Sequence, residues 1–502
     1  MNKFIVLITA FSLFISCSEL SSTRELSGEE LANAYCSSCH LYPAPHLLPK
    51  EQWHNVLTPM GARLGMSDDN YNPYKGKTME EIFEIDHAGL FPSQPMLSDD
   101  DWKRLKTYIL NLAPDTLSSL PLSNSKPQQL FTEHLPDINL QGFPVVTLLE
   151  FDQKNELLYL SDWNGHLIAI NSHFELDQYT QLPSPIVDII PYPDQLQLLS
   201  IGKLYPNELK NGALVTVETD DFDRQQVNIV KLGRPVYVEN SDLNNDNLED
   251  IVICSFGNLV GQLAWYENTG ESYTEHVLKA VPGATRTYIQ DFDQNGFKDI
   301  MVLFAQGDEG ISIFYNSSSG FTEKRILRFN PLHGSNDFEL VDFDKDGDLD
   351  LIMTNGDNGD YSNTLKPYHG VRIFVNNGDF EFTERYFYPQ HGAAKVRARD
   401  FDLDGDIDLL IASFFPDYIQ SPSQSILLLE QINPYQFQPY HFENASKGRW
   451  MVMDAGDLDG DQDIDLAIGS FVLDSQGIPD SLLTQWRSNS NHFLFLENKT
   501  NN

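Results

Sequence analysis

Two cysteines and a histidine near the amino terminus form a compact group that could bind a redox cofactor. Cys36 and Cys39 are separated by two residues, and His40 follows directly. Two thiols at this spacing can add to the two vinyl groups of a haem, while the adjacent imidazole becomes an axial iron ligand. A redox dithiol would leave the histidine unexplained, and a structural zinc site would lack its second cysteine pair. The motif therefore predicts a covalently attached haem c.

A second set of candidate ligands recurs along the rest of the chain. Five stretches place aspartate or asparagine at alternating positions and then turn apolar: DLNNDNLEDIVI (242–253), DFDQNGFKDIMV (291–302), DFDKDGDLDLIM (342–353), DFDLDGDIDLLI (400–411) and DLDGDQDIDLAI (457–468). Alternating oxygen ligands in a tight loop suit a hard cation, and calcium fits that description. An EF-hand would continue into a helix, whereas the aliphatic residues that follow here favour a strand.

The predicted calcium ligands are Asp242, Asn244, Asp246, Asp250, Asp291, Asp293, Asn295, Asp299, Asp342, Asp344, Asp346, Asp350, Asp400, Asp402, Asp404, Asp408, Asp457, Asp459, Asp461 and Asp465. Solvated acidic turns without metal are the alternative, above all for the first loop, where Asn247 replaces glycine. The ions are expected to be structural, because each loop supplies most of a coordination sphere by itself.

Helix signals surround the cysteine motif. Ser27 and Glu30 form a capping box that opens a helix running into Cys36, and Ser98 caps a later helix. With one helix entering the haem motif and another closing the domain, residues 26–115 resemble the mono-haem cytochrome c family. The resemblance implies a small all-α domain that passes single electrons and holds its iron with a histidine and a sixth ligand.

Two methionines are candidates for that sixth ligand. The run LLPKEQWHNVLTPMGARLG resembles exported cytochrome-plus-repeat proteins, and this likeness favours Met60, which follows its proline. Met96 is the second candidate, although it stands two residues before a helix cap and leaves little room for a ligand loop. An open coordination position is the remaining alternative.

The aspartate loops begin about every 50 residues, and four apolar strand-like runs fill each interval. Four-stranded units that repeat radially are propeller blades. Residues 125–500 resemble FG-GAP (VCBS) repeats such as those of the integrin α-chain propeller, which implies calcium in the blade loops. Five acidic units, two degenerate ones before them and a strand at 129–136 that completes the last blade predict seven blades without an exposed edge.

The amino terminus reads as an export signal. One lysine, a short apolar run and Leu13-Phe14-Ile15-Ser16-Cys17 resemble a bacterial lipobox, which predicts a signal peptide at 1–17, lipidation of Cys17 and a tether at 18–25. An ordinary secretory signal is the alternative. Acyl chains would hold the protein on a membrane surface, and we expect an outer-membrane lipoprotein that faces the periplasm or the cell surface.

The charge pattern limits the partners. The formal net charge of -40 excludes nucleic acid as a partner and favours a basic redox protein. His333, His369, His391 and His441 could line one rim of the ring, although turn or inter-blade positions are the simpler interpretation. Motifs of common hydrolases and nucleotide-binding enzymes are missing from the sequence.

These patterns predict a multidomain protein: a small all-α cytochrome c domain followed by an all-β propeller with calcium loops. The predicted function is extracytoplasmic electron transfer, with the propeller binding a protein or polysaccharide. Whether the protein is an enzyme stays open at this stage. A propeller that works as a dehydrogenase or oxidase module and passes electrons to the haem is the alternative, and adhesion or carbohydrate binding is another.

Overall fold

The computed structural model describes residues 24–68, 70–121, 124–138, 140, 142–359, 362–473, 477–489 and 491–501. The predicted signal peptide, Cys17 and most of the tether lie outside these residues. The described helices are α1 (Gly28–Cys36), α2 (Lys50–Arg63), α3 (Met79–His87), α4 (Asp99–Leu112) and α5 (Asp480–Asn489). Among the described residues, none of these helices is long and apolar enough to cross a membrane.

Helices α1 to α4 form a segment with its own buried cluster, which we call the helical segment (residues 24–115). The predicted capping box is confirmed: the Ser27 hydroxyl accepts from the backbone N–H of Glu30 at 3.2 Å, and the Glu30 carboxylate accepts from that of Ser27 at 2.8 Å. Ser98 caps α4 as predicted. Gly28 permits the close crossing of α1 and α4, because a Cβ there would lie 2.5 Å from Cβ of Tyr108. That this segment is a cytochrome c domain stays a prediction.

The strands follow in sets of four. The first two blades and the strands before them comprise β1 (Lys126–Pro127), β2 (Phe131–His134), β3 (Val146–Asp152), β4 (Leu157–Asp162), β5 (His166–Asn171), β6 (Leu176–Gln181), β7 (Ile186–Pro191), β8 (Gln195–Ser200), β9 (Gly212–Glu218) and β10 (Asp221–Leu232). The next two blades comprise β11 (Pro235–Ser241), β12 (Asp250–Ser255), β13 (Gln262–Asn268), β14 (Tyr273–Lys279), β15 (Ala284–Gln290), β16 (Asp299–Phe304), β17 (Gly310–Tyr315) and β18 (Thr322–Arg328).

The last three blades comprise β19 (Ser335–Val341), β20 (Asp350–Asn355), β21 (Gly370–Asn376), β22 (Phe382–Pro389), β23 (Ala393–Arg399), β24 (Asp408–Ser413), β25 (Ile426–Asn433), β26 (Gln436–His441), β27 (Trp450–Gly456), β28 (Asp465–Ser470) and β29 (Phe493–Asn498). Adjacent strands within a blade pair antiparallel, and the first strand of each blade is the innermost. The second strands are buried on both faces, which explains their continuous aliphatic runs.

The seven sheets close into a ring, and the predicted seven-bladed propeller is confirmed. In the seventh blade, β2 pairs antiparallel with β29 and supplies the missing outer strand, as the run at 129–136 predicts. One strand was not predicted: β1 adds to the sixth blade by pairing parallel with β26, so that Lys126 lies opposite Tyr440. The amino-terminal part of the propeller therefore closes two neighbouring blades.

The core lies between the blades. Each pair of neighbouring blades shares one buried apolar cluster. The cluster that joins the seventh blade to the first contains Phe495 and Ala467 on one side and Val146 and Ile168 on the other. Because this junction is as apolar as the others, ring closure is stabilised by the same burial of hydrophobic surface that holds consecutive blades together.

The helical segment packs against one face of the ring. Its α3 carries Glu81, and Lys77 just before that helix lies 3.2 Å from the Glu81 carboxylate and 3.1 Å from the Glu208 carboxylate of the propeller. Glu208 is buried and also accepts backbone N–H bonds from Leu259 and Val260. These residues belong to loops at the face opposite the aspartate loops, so the two candidate sites lie on different sides of the propeller.

Candidate functional site

The five aspartate loops occupy equivalent places in blades three to seven. Each begins directly after the innermost strand and ends at the first residue of the second strand, so all five lie at one face of the ring. We number their positions 1 to 9, with Asp342 at position 1 and Asp350 at position 9 in the third loop. The repeat that the sequence predicts therefore places five similar donor sets around a single face.

Backbone geometry is the same in all five loops. Positions 4 and 6 have positive φ throughout: Asn245 and Asn247, Gln294 and Gly296, Lys345 and Gly347, Leu403 and Gly405, Gly460 and Gln462. Glycine occupies position 6 in three loops, where a left-handed conformation has no steric cost. Asparagine tolerates this conformation better than most residues, which explains how the first loop keeps the turn with Asn247.

Backbone N–H groups point inward in these turns. In the second loop, Asp291 accepts from the N–H of Asn295 at 3.0 Å and of Gly296 at 2.8 Å, and the Asn295 amide oxygen accepts from the N–H of Phe297 at 2.8 Å. The other loops repeat the bond from position 6 to position 1. These bonds turn the oxygens at positions 1, 3 and 5 of the second loop toward the inside of the turn.

The aspartate at position 9 has a role that the sequence analysis missed. Asp350 is fully buried, and its oxygens accept from the N–H of Phe343 at 2.9 Å and of Asn376 at 2.8 Å. Asp250, Asp299 and Asp465 make the same two bonds. This carboxylate ties its loop to the end of the third strand of the blade. Its invariance among the five copies was the available signal, and it was interpreted as ligation alone.

Four of the loops bring carboxylate oxygens close enough to share one cation. The oxygens of each of these groups lie within 4.8 Å of one another: Asp291, Asp293 and Asp299; Asp342, Asp344 and Asp350; Asp400, Asp402 and Asp404; Asp457, Asp459 and Asp465. The first loop has Asn244 at position 3, where the other four loops have an aspartate, and its carboxylates form no such group among the described residues. The weaker metal prediction for that loop agrees with this smaller number of carboxylates.

Two further observations fit a bound cation. Buried carboxylate oxygens of Asp342, Asp400 and Asp461 have no hydrogen-bond partner among the described residues. Burial raises the pKa of Asp408 to about 8 and that of Asp465 to about 7. Crowded carboxylates without donors are costly unless a positive charge intervenes, and an all-oxygen donor set is the kind that calcium prefers.

The cysteine motif lies at the end of α1. Cys36 is the last residue of that helix, Cys39 is exposed, and His40 is half-buried. Nδ1 of His40 lies 2.8 Å from the backbone oxygen of Leu41, so this nitrogen carries the proton. Nε2 then keeps a lone pair that can bind a metal. Burial raises the pKa of the Cys36 thiol to about 11, which argues against a reactive dithiol because the thiolate is the nucleophile.

The methionine candidates differ in their surroundings. Met60, in the last turns of α2, packs against the same buried cluster as Cys36. Met96 is 51% exposed and packs against none of the buried clusters of the described residues. Met66 is buried in a small cluster with Leu64 and Leu97. Two thiols, an imidazole nitrogen and a methionine thioether are donors that fit a haem c, and Met60 shares the buried cluster of Cys36 whereas Met96 does not.

Ionisable side chains line the axis of the ring, which the sequence analysis did not predict. The innermost strands contribute Glu150, Asp188, Glu239, Arg286, Asp337, Glu339, Lys395, Arg397, Arg399 and Asp454. Several carboxylates accept a backbone N–H from the neighbouring blade: Glu339 from Ala398 at 2.7 Å, and Asp454 from Phe151 at 3.0 Å. These bonds join blades to one another, and no simple sequence pattern predicts them.

The four histidines that the sequence analysis names as possible rim residues do not all lie together. His333, His369 and His391 lie in loops at the face that carries the helical segment, whereas His441 ends β26 and its Nδ1 lies 3.0 Å from the Ser125 hydroxyl. His369 is fully buried. Burial lowers the pKa of His333 to about 4 and also lowers that of His369. Burial also lowers the pKa of His391, so the neutral form of all three is favoured, and all three lie in inter-strand loops, the kind of position that the simpler interpretation expects.

Comparisons with known proteins agree with the repeat assignment. The family described as FG-GAP-like repeat matches residues 242–302 and 291–353, so these blades are FG-GAP-like repeats as predicted. No match to the chain is found among curated proteins. The matched repeats do not include the segment around Cys36.

Solved propellers with little sequence similarity also match. The Neurospora crassa Pan2 WD40 domain is 11% identical, with 70% of this chain and 88% of that chain covered at a TM-score of 0.42. The Dos1 propeller is 12% identical, with 75% of this chain and 83% of that chain covered, at a TM-score of 0.43. BBS1N, in a structure of its complex with ARL6DN, is 8% identical, with 74% of this chain and 96% of that chain covered, at a TM-score of 0.44. Similarity at this level says nothing about what the chain binds.

Proposed function

We propose that the protein is an exported c-type cytochrome, anchored by lipid and passing single electrons, whose calcium-stabilised propeller is an interaction module. The observation that carries the electron-transfer part is the donor set at the end of α1. Cys36 and Met60 pack against one buried cluster, and the Nδ1 contact of His40 with Leu41 leaves Nε2 free for iron. When bound, haem c supplies reversible one-electron transfer at its iron.

The chain's own residues would hold this group and shield it. Cys36 and Cys39 would form the two thioether bonds, His40 would be the axial ligand, and Met60 the sixth. The buried cluster around Leu31 and Trp53 excludes water from one side of the motif. A methionine ligand and an apolar surrounding both raise the potential of the iron, which suits a carrier that accepts electrons readily.

Covalent haem can be tested directly on the full chain. We expect protein made with a c-type maturation system to keep its colour after denaturation and to show an α-band when reduced with dithionite. The variant Cys36→Ala, Cys39→Ala should lose covalent haem. The chain offers a matched control: Cys254 is buried in the second strand of the third blade, and Cys254→Ala should keep it. A colourless wild-type protein would refute the cytochrome assignment.

The propeller is proposed to bind calcium at four of its loops and a partner at its surface. Equilibrium dialysis should find about four calcium ions per chain, one for each group of three carboxylates. Asp344→Asn together with Asp402→Asn should remove two of them, and magnesium should not compete well because it demands a stricter octahedral geometry. Undiminished calcium binding by the double variant would show that the ions are held elsewhere.

A basic redox protein is the partner that the charge favours, since acidic groups far outnumber basic ones. The association rate should fall as salt rises above the physiological range.

Residues 1–17 are proposed to be a lipoprotein signal, so Cys17→Ser should move the protein from the membrane fraction to the soluble fraction. A polysaccharide ligand of the propeller is the alternative binding function, and affinity electrophoresis in polysaccharide gels would detect it.

Ionisable groups along the axis of the ring favour one further candidate, a dehydrogenase or oxidase module. Arg397 lies 3.3 Å from the Asp337 carboxylate and 3.7 Å from that of Asp454, and such convergent groups could bind a polar substrate. The test is whether any sugar, alcohol or quinol reduces the ferric protein. If a broad panel fails to do so, the axial groups serve only to join blades.

A further inference from the structure

The peptide that follows His40 is bound to the propeller at two points. The side-chain amide of Asn330 donates to the backbone oxygen of Tyr42 at 3.3 Å. The Tyr368 hydroxyl donates to the backbone oxygen of Leu47 at 2.8 Å. Both propeller residues lie in loops at the face that carries the helical segment, so residues 41–47 run along this face between two fixed ends.

The two propeller donors are themselves held in place. The Asn330 side-chain oxygen accepts from the N–H of Leu332 at 3.0 Å, which fixes the orientation of its amide. The Tyr368 ring lies 5.4 Å from the His333 ring, centroid to centroid. Both donors are therefore supported by contacts within the propeller, which is the requirement for a supporting contact.

Leu332 connects the propeller to the apolar core of the helical segment. It packs against the buried cluster of the helical segment, the same cluster that Cys36, Tyr42 and Met60 pack against. A side chain from the fourth-to-fifth blade connection thus completes an apolar surface whose other members come from the helices. Leu332 is half-buried at this contact.

The contact of His40 depends on this arrangement. Its Nδ1–H donates to the oxygen of Leu41, one residue before Tyr42. The partner that accepts from a metal-bound histidine orients the ring, raises its basicity and so tunes the metal. Since the propeller fixes the Tyr42 oxygen, it also restricts where the Leu41 oxygen can lie.

We propose that the propeller forms the outer shell of the haem site. Asn330 and Tyr368 are positioning residues that hold residues 41–47 and, through the Leu41 oxygen, the His40 ring. Leu332 closes the site against water. This inference rests on the proposed haem, and it makes the propeller a determinant of the reduction potential in addition to its binding role.

The test is a redox titration of the full-length holoprotein and its variants. Leu332→Asn should admit water, which stabilises the more highly charged oxidised iron and lowers the potential. We expect at least a tenfold change in the ratio of oxidised to reduced protein at fixed potential, which is about 59 mV for one electron. The control is Leu278→Asn, a half-buried leucine of another blade interface, which should leave the potential unchanged.

A conservative second variant guards against misfolding. Tyr368→Phe keeps the ring and removes only the hydroxyl that donates to Leu47, so the melting temperature should change little. The g values of the low-spin ferric haem, which electron paramagnetic resonance measures and which depend on the orientation of the axial histidine, should nevertheless shift. Tyr179→Phe, at an exposed tyrosine of the first blade, should leave that spectrum as it is.

The outcomes separate this inference from the proposed function. If the wild type binds haem covalently and Leu332→Asn and Tyr368→Phe both match it in potential and spectrum, the propeller is only a neighbour and the inference is wrong, while the cytochrome assignment stands. If the wild type carries no haem, both are refuted. Shifts in the two variants without loss of covalent haem would support the inference.

Discussion

Replacing Asp350 with asparagine separates the two roles that a loop aspartate can have. The Asp350 oxygens accept one backbone N–H from the loop, at Phe343, and another from the end of the third strand, at Asn376. Asparagine keeps the shape but turns one of these acceptors into a donor. One charge-assisted hydrogen bond is lost, the other becomes neutral, and a buried N–H is left without a partner.

The magnitude follows from these contacts. A hydrogen bond to a charged group contributes about 1.5–3 kcal/mol, and a buried unsatisfied donor costs about 1–3 kcal/mol. We therefore expect the free energy of unfolding to fall by about 3 kcal/mol. For a cooperative unit spanning residues 126–498, with an unfolding entropy of about 2.1 cal/mol/K per residue, this lowers Tm by about 4 °C.

Calorimetry in millimolar calcium and in excess chelator is the assay. Asp350→Asn should lower Tm under both conditions, because its backbone bonds do not involve the ion. The matched control is Asp344→Asn at position 3 of the same loop, an exposed side chain that should matter only with calcium. If Asp350→Asn melts like the wild type in chelator, the position-9 aspartate is a ligand alone and the structural argument fails.

Other predictions concern the interface, the metal loops and the ring axis. Glu208→Ala removes the buried propeller partner of Lys77 and leaves the half-buried N–H groups of Leu259 and Val260 unpaired, so the free energy that holds the helical segment on the ring should fall by about 3 kcal/mol. Proteases should then cut the connection between α4 and β1 faster, whereas Glu218→Ala at an exposed ion pair should change neither property. Because burial raises the pKa of Asp408 to about 8 and of Asp465 to about 7, calcium should displace protons near neutral pH. Its affinity should rise with pH up to about 8, and calorimetric heats should differ between buffers of unlike ionisation enthalpy; equal heats would contradict this. Burial raises the pKa of Asp188 to about 7, above its value in the unfolded chain. The folded state therefore keeps a proton that the unfolded state has lost between about pH 4 and 7, so stability should decline as pH rises through that window. In pH-dependent melting curves Asp188→Asn should make this decline smaller, while the other carboxyl groups with a raised pKa, such as Asp465, still contribute to it.

Much of the propeller could be read from local patterns. The position-6 glycines at 296, 347 and 405 and the aliphatic run after each loop announce a turn followed by a buried strand. The repeat period then sets the number of blades, and the similarity between residues 129–136 and an outer strand predicts how the ring closes. The parallel strand Lys126–Pro127 has no such pattern, because two exposed residues carry too little information to specify a partner strand.

The sequence predicted the candidate ligands of the metal loops, but it did not show which aspartates accept backbone hydrogen bonds within the blade. Asp344 and Asp350 look alike in the sequence, since both are aspartates at odd positions of one loop. Burial distinguishes them: Asp344 is exposed, whereas Asp350 is buried and accepts a backbone bond from Asn376 at the end of the third strand. That strand is more than 20 residues further along the chain, so a motif of nine residues cannot contain the information.

By itself the sequence determined the repeats, the loop donors, the helix caps and the spacing of Cys36, Cys39 and His40. Each of these local patterns involves residues within about ten positions of one another, where hydrogen bonds and allowed φ angles are decided locally, and the repeat is one such pattern that recurs about every 50 residues. Only the tertiary structure decided that the helical segment lies on the face opposite the aspartate loops and that Asn330 reaches Tyr42. Those two residues are 288 positions apart, and such contacts arise from the folding of the ring as a whole.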